Sequence, residues 1–194
     1  MPFRPVPNAR ASLKPGTLYA ADGGEGWIYY GQVATDQTIG WFRFRTSTLA
    51  DAPDVLAHPL MSRFSVAHPS IDRALRLGAW CALGRHDVEP VLLDPIETVQ
   101  WPVGTLTVTV WKQGPRYQTR VEDPAIQDLE IIAAWDAVAH VPARLKADYG
   151  TEQAEWHVGG PIWRHRRVKE GFAARFPDAP WHQLPADWVP TEPR

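Results

Sequence analysis

The fold is decided by the first third of the chain, where residues 16–45 read GTLYAADGGEGWIYYGQVATDQTIGWFRFR. Aromatic and branched residues are frequent in this stretch and follow a period of two, which is typical of β-strands. The glycine-rich segment Asp22–Gly26 and the segment Thr35–Thr38 interrupt the pattern as turns. The stretch therefore predicts an antiparallel meander of three strands. These strands are Thr17–Ala21, Trp27–Ala34 and Ile39–Arg45.

Strand and helix patterns continue beyond the meander. The clearest is Leu106–Trp111, where a leucine and two valines alternate with threonines. Tyr117–Val121 is expected to pair with it across a turn at Gly114 and Pro115. Leu129–Ala139 fits a helical stripe and a buried strand equally well. The other predicted strands are Phe64–Ala67, Trp80–Leu83, Val91–Leu93 and Ile96–Trp101, and the predicted helices are Ser70–Leu77, Pro142–Tyr149 and Val168–Phe176.

Together these patterns predict an α+β fold that is mostly β. We expect an antiparallel twisted sheet or a partly open barrel with two or three short helices, formed by residues 1–150. Residues 151–194 lose the periodicity and are rich in proline and tryptophan, apart from one short helix. They predict a C-terminal extension that packs on the domain, because its apolar residues would otherwise be exposed.

Composition excludes several classes of protein. The chain has 194 residues, ten of them tryptophan, and a formal net charge of −2. No apolar run approaches the ~18 residues that a membrane-spanning helix needs, so we expect a cytoplasmic protein without a membrane partner. Cys81 is the only cysteine, which excludes an intrachain disulfide and a cluster of thiolate metal ligands. The histidines lack zinc-site spacing, so we predict neither a metal nor a cofactor.

Groups that could carry catalysis are few. Within the segment Arg85–Glu89, the side chains of His86, Asp87 and Glu89 could form a proton-transfer pair, or the segment could be an ordinary solvated hairpin tip. Cys81 stands between apolar residues and is expected to be a small buried residue. A cysteine nucleophile paired with a distant histidine stays an alternative. A hydrolase that uses any of these groups is one functional hypothesis.

A basic segment lies in the C-terminal part of the chain. Arg164, Arg166 and Arg167 are interleaved with aromatic residues, as in proteins that bind single-stranded nucleic acid. The net charge of −2 disfavours nucleic acid as the partner. The three arginines are therefore predicted to form a secondary binding patch, or to lie on a surface helix whose charges are solvated or paired with carboxylates.

Three short motifs in the first half resemble a known family. Pro15-Gly16 precedes the first strand, Tyr30-Gly31-Gln32-Val33 lies in the second, and Gly78-Ala79-Trp80 opens a later one. Over residues 14–150 the chain is similar to the immunity protein 26 family of bacterial polymorphic toxin systems. The resemblance implies a mostly β protein that binds and neutralises a cognate toxin made by the same cell. It supplies no catalytic residues.

An inhibitor of this kind needs a rigid binding face rather than an acid, a base or a nucleophile. We expect that face on the outward side of the second and third strands, since tryptophan and arginine are enriched at interface hot spots. The tryptophans also suit a second hypothesis, a module that binds a small ligand such as a carbohydrate. The predicted partner-binding residues are Trp27, Tyr29, Trp41, Arg43 and Arg45.

Overall fold

The computed structural model describes residues 2–111, 115–150 and 159–192. Contacts divide the chain into two compact units, and each unit is assembled from two separate stretches of sequence. The first unit comprises Met1–Ile96 and Ala133–Glu152, and the second comprises Glu97–Ile132 and Gln153–Arg194.

Ten strands and four α-helices are formed by the described residues, so the predicted α+β, mostly β fold is confirmed. The strands are β1 (Thr17–Asp22), β2 (Ile28–Val33), β3 (Ile39–Thr46), β4 (Leu60–Val66), β5 (Trp80–Arg85), β6 (Thr98–Gln100), β7 (Thr107–Trp111), β8 (Tyr117–Arg120), β9 (Glu130–Ile131) and β10 (Ala134–Trp135). The helices are α1 (Ala52–Leu56), α2 (His68–Leu77), α3 (Val141–Gly150) and α4 (Ile162–Arg175). None of these helices is both long and apolar enough to cross a membrane.

The first unit is built on a six-stranded sheet with the order β10-β4-β3-β2-β1-β5. Strands β1, β2 and β3 pair antiparallel in sequence order, which confirms the predicted meander. The register shifts between Tyr29 and Gly31 where β2 meets β3, and between Trp41 and Phe42 where β3 meets β4. Because such bulges increase the local twist, the sheet curls into a half-barrel.

Both faces of this sheet are covered. One face carries Tyr19, Trp41 and Phe64 and packs against residues of α2 and α3. The other carries Tyr30 and Phe42, and buries Val55 of α1. A sheet covered on both sides needs apolar residues at successive positions, which is why β2 reads IYYGQV rather than as a strict alternation.

The second unit contains a four-stranded sheet with the order β8-β7-β6-β9. Strands β7 and β8 pair antiparallel, as predicted, with Val108 and Val110 of β7 buried on the inner face. Ile162, the first residue of α4, is buried in the same apolar cluster. Gly114, half of the predicted turn, lies outside the described residues.

Two predicted elements need correction, and the open choice between helix and strand at Leu129–Ala139 is resolved in favour of strand. Val91–Leu93 is not a strand, because Pro90–Leu92 forms a 3₁₀ turn in which the Leu92 N–H donates to the Glu89 carbonyl. Leu129–Ala139 is not a helix but supplies the short strands β9 and β10. After β10 the chain turns, because the Asp136 carboxylate accepts the backbone N–H groups of the two residues that follow Ala137. The helix predicted at Val168–Phe176 begins earlier, at Ile162.

Candidate functional site

The hairpin between β1 and β2 places Trp27 at the edge of the first unit. The turn before it uses Glu25 and Gly26 in left-handed backbone conformations, with φ of 53° and 81°. The Trp27 carbonyl accepts the Gly23 N–H, and the Trp27 N–H donates to the Gly24 carbonyl. These backbone bonds fix the position from which the indole extends, and 37% of the residue is exposed.

Pairing between β2 and β3 brings an arginine next to this indole. Tyr29 and Arg45 are direct cross-strand partners. The Arg45 guanidinium carbon lies 4.3 Å from the centre of the Trp27 ring and 4.2 Å from the centre of the Tyr149 ring. The Arg45 guanidinium is thus stacked between two aromatic rings, an arrangement that suits its weakly hydrated planar faces.

A hydrogen bond to Tyr29 also fixes the Arg45 guanidinium. Arg45 Nη1 donates to the Tyr29 hydroxyl at 3.2 Å. With its faces against rings and one N–H group engaged, the remaining N–H groups lie along the edge of the guanidinium. An edge of this kind binds a carboxylate or a carbonyl in the plane of the group.

Arg43 adds a second guanidinium on the same face of β3, because side chains two residues apart point to the same side of a strand. Its Nη2 donates to the Tyr149 carbonyl at 3.3 Å, and its guanidinium carbon lies 5.7 Å from the centre of the Tyr149 ring. That carbonyl belongs to the last turn of α3, where a helix carries partial negative charge. Trp27, Arg43, Arg45 and Tyr149 are called the arginine–aromatic cluster below.

An ion pair ties the hairpin turn to α3 beside this cluster. Lys146 Nζ lies 2.9 Å from Glu25 Oε1, and both side chains are largely exposed. The hydrogen bond from Lys146 and its positive charge lower the pKa of Glu25 below its ordinary value, with a smaller contribution from Arg45. Three cations against one carboxylate leave the named groups with a net positive charge.

The structure brings three of the five predicted partner-binding residues together at the surface: Trp27, Arg43 and Arg45. Tyr29 and Trp41 lie on the expected face of their strands but are buried, at 1% and 0% exposure. Their predicted outward placement is wrong because α2 and α3 cover that part of the face. Trp41 stacks on Phe64 and meets Trp80 edge-on, with ring centres 5.8 and 5.4 Å apart.

Sequence reasoning missed the residues that α3 contributes. Tyr149 and Lys146 follow the end of β3 by 100 residues or more, and the sequence pattern indicates only that they lie near the end of a helix. The local sequence signal in this region is Gly150, which indicates only where the helix ends. No local pattern reports which strand a helix covers, so the second ring of the stack could not be predicted.

The predicted basic patch is not exposed. Arg164 and Arg166 are buried, at 5% and 4% exposure, and Arg167 is half-buried. The Arg164 guanidinium carbon lies 5.5 Å from the Trp163 ring centre, and Arg166 donates to Gln127 Oε1 and to the Val189 carbonyl. These arginines hold parts of the second unit together instead of presenting charge to a polyanion.

Hydrogen bonds of its backbone and of the His86 ring fix the segment that carries His86, Asp87 and Glu89. The buried Gln32 side chain binds the Asp87 carbonyl and the Glu89 N–H, which fixes this segment through its backbone. His86 Nε2 lies 3.1 Å from the Leu83 carbonyl. Burial raises the pKa of the Cys81 thiol to about 11, against a weaker opposing effect of a backbone hydrogen bond to Ala20.

At neutral pH this thiol is therefore protonated, whereas a cysteine nucleophile reacts as the thiolate. Within residues 2–111, 115–150 and 159–192, no three His, Cys, Asp or Glu side chains are grouped so as to hold a metal ion.

None of the family models, curated proteins or solved structures compared with this chain matches it. The similarity to the immunity protein 26 family therefore stays a prediction from the short motifs.

Proposed function

We propose that this chain is a non-catalytic binding protein of the immunity type, which binds a cognate protein toxin through the arginine–aromatic cluster and neutralises it. The observation that carries the proposal is the stack of the Arg45 guanidinium between Trp27 and Tyr149. Tryptophan, tyrosine and arginine are the residues that dominate interface hot spots.

Contacts within the chain hold the side chains of the cluster in place. Arg45 is held by two rings and by the Tyr29 hydroxyl, and Arg43 by a helix carbonyl. Side chains that are fixed before binding lose little rotamer entropy on binding, a cost of about 0.5–1.5 kcal/mol for each mobile side chain. Prearrangement of this kind supports tight binding by a small number of residues.

The charge of the cluster indicates the chemistry of the partner. Among the described residues, the ammonium group of Lys146 pairs with the Glu25 carboxylate, and the Arg43 and Arg45 guanidinium groups lie on the neighbouring Tyr149. A partner surface with aspartate or glutamate side chains would complement the positive charge of Arg43 and Arg45, whose remaining N–H groups would donate to the carboxylate oxygens. A stable interface buries about 800 Å² on each side, so the cluster would form the centre of a larger contact.

Co-expression with the product of the adjacent gene tests the proposal. The wild-type chain is expected to co-purify with that product and to restore growth when the product is toxic. Arg45→Gln is expected to weaken the complex at least about tenfold, because a hot-spot substitution costs roughly 1.4 kcal/mol or more. Arg4→Gln, at an exposed arginine outside the cluster, serves as the matched control and should bind like wild type.

Two outcomes would contradict the proposal. One is the absence of any complex between the wild-type chain and the neighbouring gene product. The other is a folded Arg45→Gln chain that binds and protects as well as the Arg4→Gln chain does.

A carbohydrate-binding module is the second candidate, and Trp181 is the observation that favours it. This residue is 80% exposed in the second unit, and its ring contacts only the edge of the His182 ring among the aromatic contacts described. An exposed indole face suits stacking on a sugar ring. Binding of a glycan panel that is lost in Trp181→Ala would support this candidate, and equal signals for both chains would remove it.

A further inference from the structure

In the second unit, the segment Asp187–Thr191 lies against α4 and the end of β6 in the manner of a bound peptide. We call Asp187–Thr191 the tail segment, and four side chains of the described residues that contact it the tail groove. The tail groove consists of Trp101, Arg120, Arg166 and Glu170.

One aromatic side chain anchors the tail segment. The Trp188 ring stacks on the Trp101 ring, with centres 6.1 Å apart and planes inclined by 16°. Its Nε1–H donates to Glu170 Oε1 at 2.9 Å, and the Arg166 guanidinium carbon lies 5.7 Å from its ring centre. Three different groups thus contact the indole: the Trp101 ring stacks on its face, the Glu170 carboxylate accepts its N–H, and the Arg166 guanidinium lies near its ring.

The backbone of the tail segment is recognised at alternate residues. Arg120 Nη2 donates to the Asp187 carbonyl at 3.3 Å, and Arg166 Nη2 donates to the Val189 carbonyl at 2.6 Å. Glu170 Oε1 accepts the Thr191 N–H at 2.7 Å and the Thr191 hydroxyl at 2.8 Å. Asp187 ends a turn, and the contacts at Asp187, Val189 and Thr191 fall on alternate residues, as they do in complexes of proteins with peptides.

Three of the four groove side chains are held by contacts that do not involve the tail segment. Trp101 Nε1 donates to the Thr105 carbonyl at 2.9 Å, and Lys169 Nζ lies 4.9 Å from the Trp101 ring centre. Arg166 Nη1 donates to Gln127 Oε1 at 2.9 Å, and Arg120 is paired with Glu122. The groove is therefore preorganised for an occupant instead of being created by it.

The tail segment itself is only lightly buried. Asp187, Val189 and Pro190 are exposed, while Trp188 and Thr191 are half-buried. Among the described residues, the backbone–backbone hydrogen bond of this segment is local, from the Trp188 N–H to the Pro185 carbonyl. The Trp188 ring, which also packs against the apolar cluster of the second unit, and a few side-chain hydrogen bonds thus hold the segment.

We propose that the tail groove is a peptide-binding site for an extended segment of the pattern Asp-Trp-Val-Pro-Thr, and that the chain's own tail segment occupies it as an exchangeable ligand. The groove and the arginine–aromatic cluster share no residue, and this proposal does not rest on the function proposed for the cluster. Tethering gives the tail segment a high local concentration, so a free peptide competes at a disadvantage until the tail is weakened.

The test uses the full chain with its tail anchor removed. A fluorescently labelled peptide of residues 185–192, PADWVPTE, is titrated into the Trp188→Ala chain and into wild type, with anisotropy as the readout. The Trp188→Ala chain is expected to bind it saturably and at least about tenfold more tightly than wild type. Adding Glu170→Ala to Trp188→Ala should remove the binding, and the control peptide PADAVPTE should not bind.

A Trp188→Ala chain that is folded by circular dichroism but fails to bind PADWVPTE, or binds PADAVPTE equally, overturns the proposal. If that chain does not fold, Thr191→Ala takes its place, since it removes only the hydroxyl contact to Glu170. Peptide binding above the wild-type level by the Thr191→Ala chain supports the proposal, and binding at the wild-type level contradicts it.

Discussion

Gly31 shows how a single residue permits the core of the first unit. A Cβ atom at this position would lie 2.7 Å from Ile39 Cγ2 and 2.8 Å from Trp41 Cε3. The Trp41 indole thus packs directly over the glycine, in the middle of β2. The glycine of the motif Tyr-Gly-x-Val therefore leaves the space that the Trp41 ring occupies.

We predict that Gly31→Ala destabilises the protein by about 1–3 kcal/mol, because the Trp41 ring and the strand must move to accept the added methyl group. Urea denaturation monitored by tryptophan fluorescence measures the change. Gly171→Ala is the matched control, since nothing lies within 4 Å of the added atom. In the α4 helix it should be neutral or stabilise by about 0.5–1 kcal/mol, and equal losses for both variants would contradict the packing argument.

Cys81 provides a second prediction at this scale. With its pKa raised to about 11 from an ordinary value of 9.0, the thiolate fraction at pH 8 falls about 100-fold. Alkylation by iodoacetamide should be slower by at least that factor in the folded chain than in the urea-unfolded chain. The folded-state rate should keep rising with pH up to about pH 11, and similar rates for both states at pH 8 would contradict the assignment of Cys81 as a half-buried, protonated thiol.

At the scale of elements, Arg63 of β4 fastens the segment that follows β5. Its Nη1 donates to the Val91 and Asp94 carbonyls at 3.1 and 2.8 Å, and its Nε donates to Thr38 Oγ1 at 2.7 Å. Its Nη2 also lies 2.9 Å from Asp36 Oδ1, and both side chains are mostly buried. One side chain thus satisfies several groups of a loop that has no strand partner of its own.

Arg63→Ala is therefore expected to lower the free energy of unfolding by about 2–4 kcal/mol, because the mostly buried Asp36 carboxylate and the Val91 and Asp94 carbonyls each lose a donor. Arg73→Ala is the control, since Arg73 is half-exposed and pairs with Asp136 at 2.6 Å, and such a surface pair contributes about 0–1 kcal/mol. Thermal unfolding of the two variants gives the comparison. A loss of stability for Arg63→Ala no larger than that for Arg73→Ala would show that the contacts of Arg63 contribute little.

The elements that the sequence predicted best are those with local signals. The meander follows from its period of two and its glycine-rich turn, and α2 follows from its stripe and from Gly78, which has φ of 72° at the helix end. The 3₁₀ turn at Pro90–Leu92 escaped prediction because it depends on Leu92 packing over Gly40. In the candidate site, β2 and β3 supplied predictable residues, whereas Tyr149 comes from a helix whose position depends on the whole unit.

At the scale of the whole molecule, several carboxyl groups share one electrostatic property. Hydrogen bonds and nearby cations outweigh burial and lower their pKa values in the folded chain. Burial raises the pKa of Asp36, but hydrogen bonds from Thr38, Arg63 and Ile96 together lower it by more, so that the pKa lies below its ordinary value. The carboxyl groups with lowered pKa values are Glu25, Asp36, Asp72, Asp123 and Asp136.

A folded-state pKa below the unfolded value gives stability that is present above the unfolded pKa and lost as the pH falls through the folded pKa. The ordinary values are 3.8 for the aspartates and 4.5 for Glu25. The urea midpoint should therefore be nearly constant from pH 7 to about pH 5 and fall steadily below about pH 4. Asp36→Asn should reduce the fall, and a midpoint independent of pH down to about pH 2 would contradict the prediction.

The alternation of the chain between its two units also has a consequence for its synthesis. The valines of β6 and β7 leave the ribosome well before α4, whose Ile162 completes their apolar cluster. About 50 residues separate β7 from α4, which corresponds to roughly 3–10 s at about 5–20 residues per second. During translation, the nascent chain thus carries a half-built core for several seconds, and that is the interval in which a ribosome-associated chaperone would have most effect.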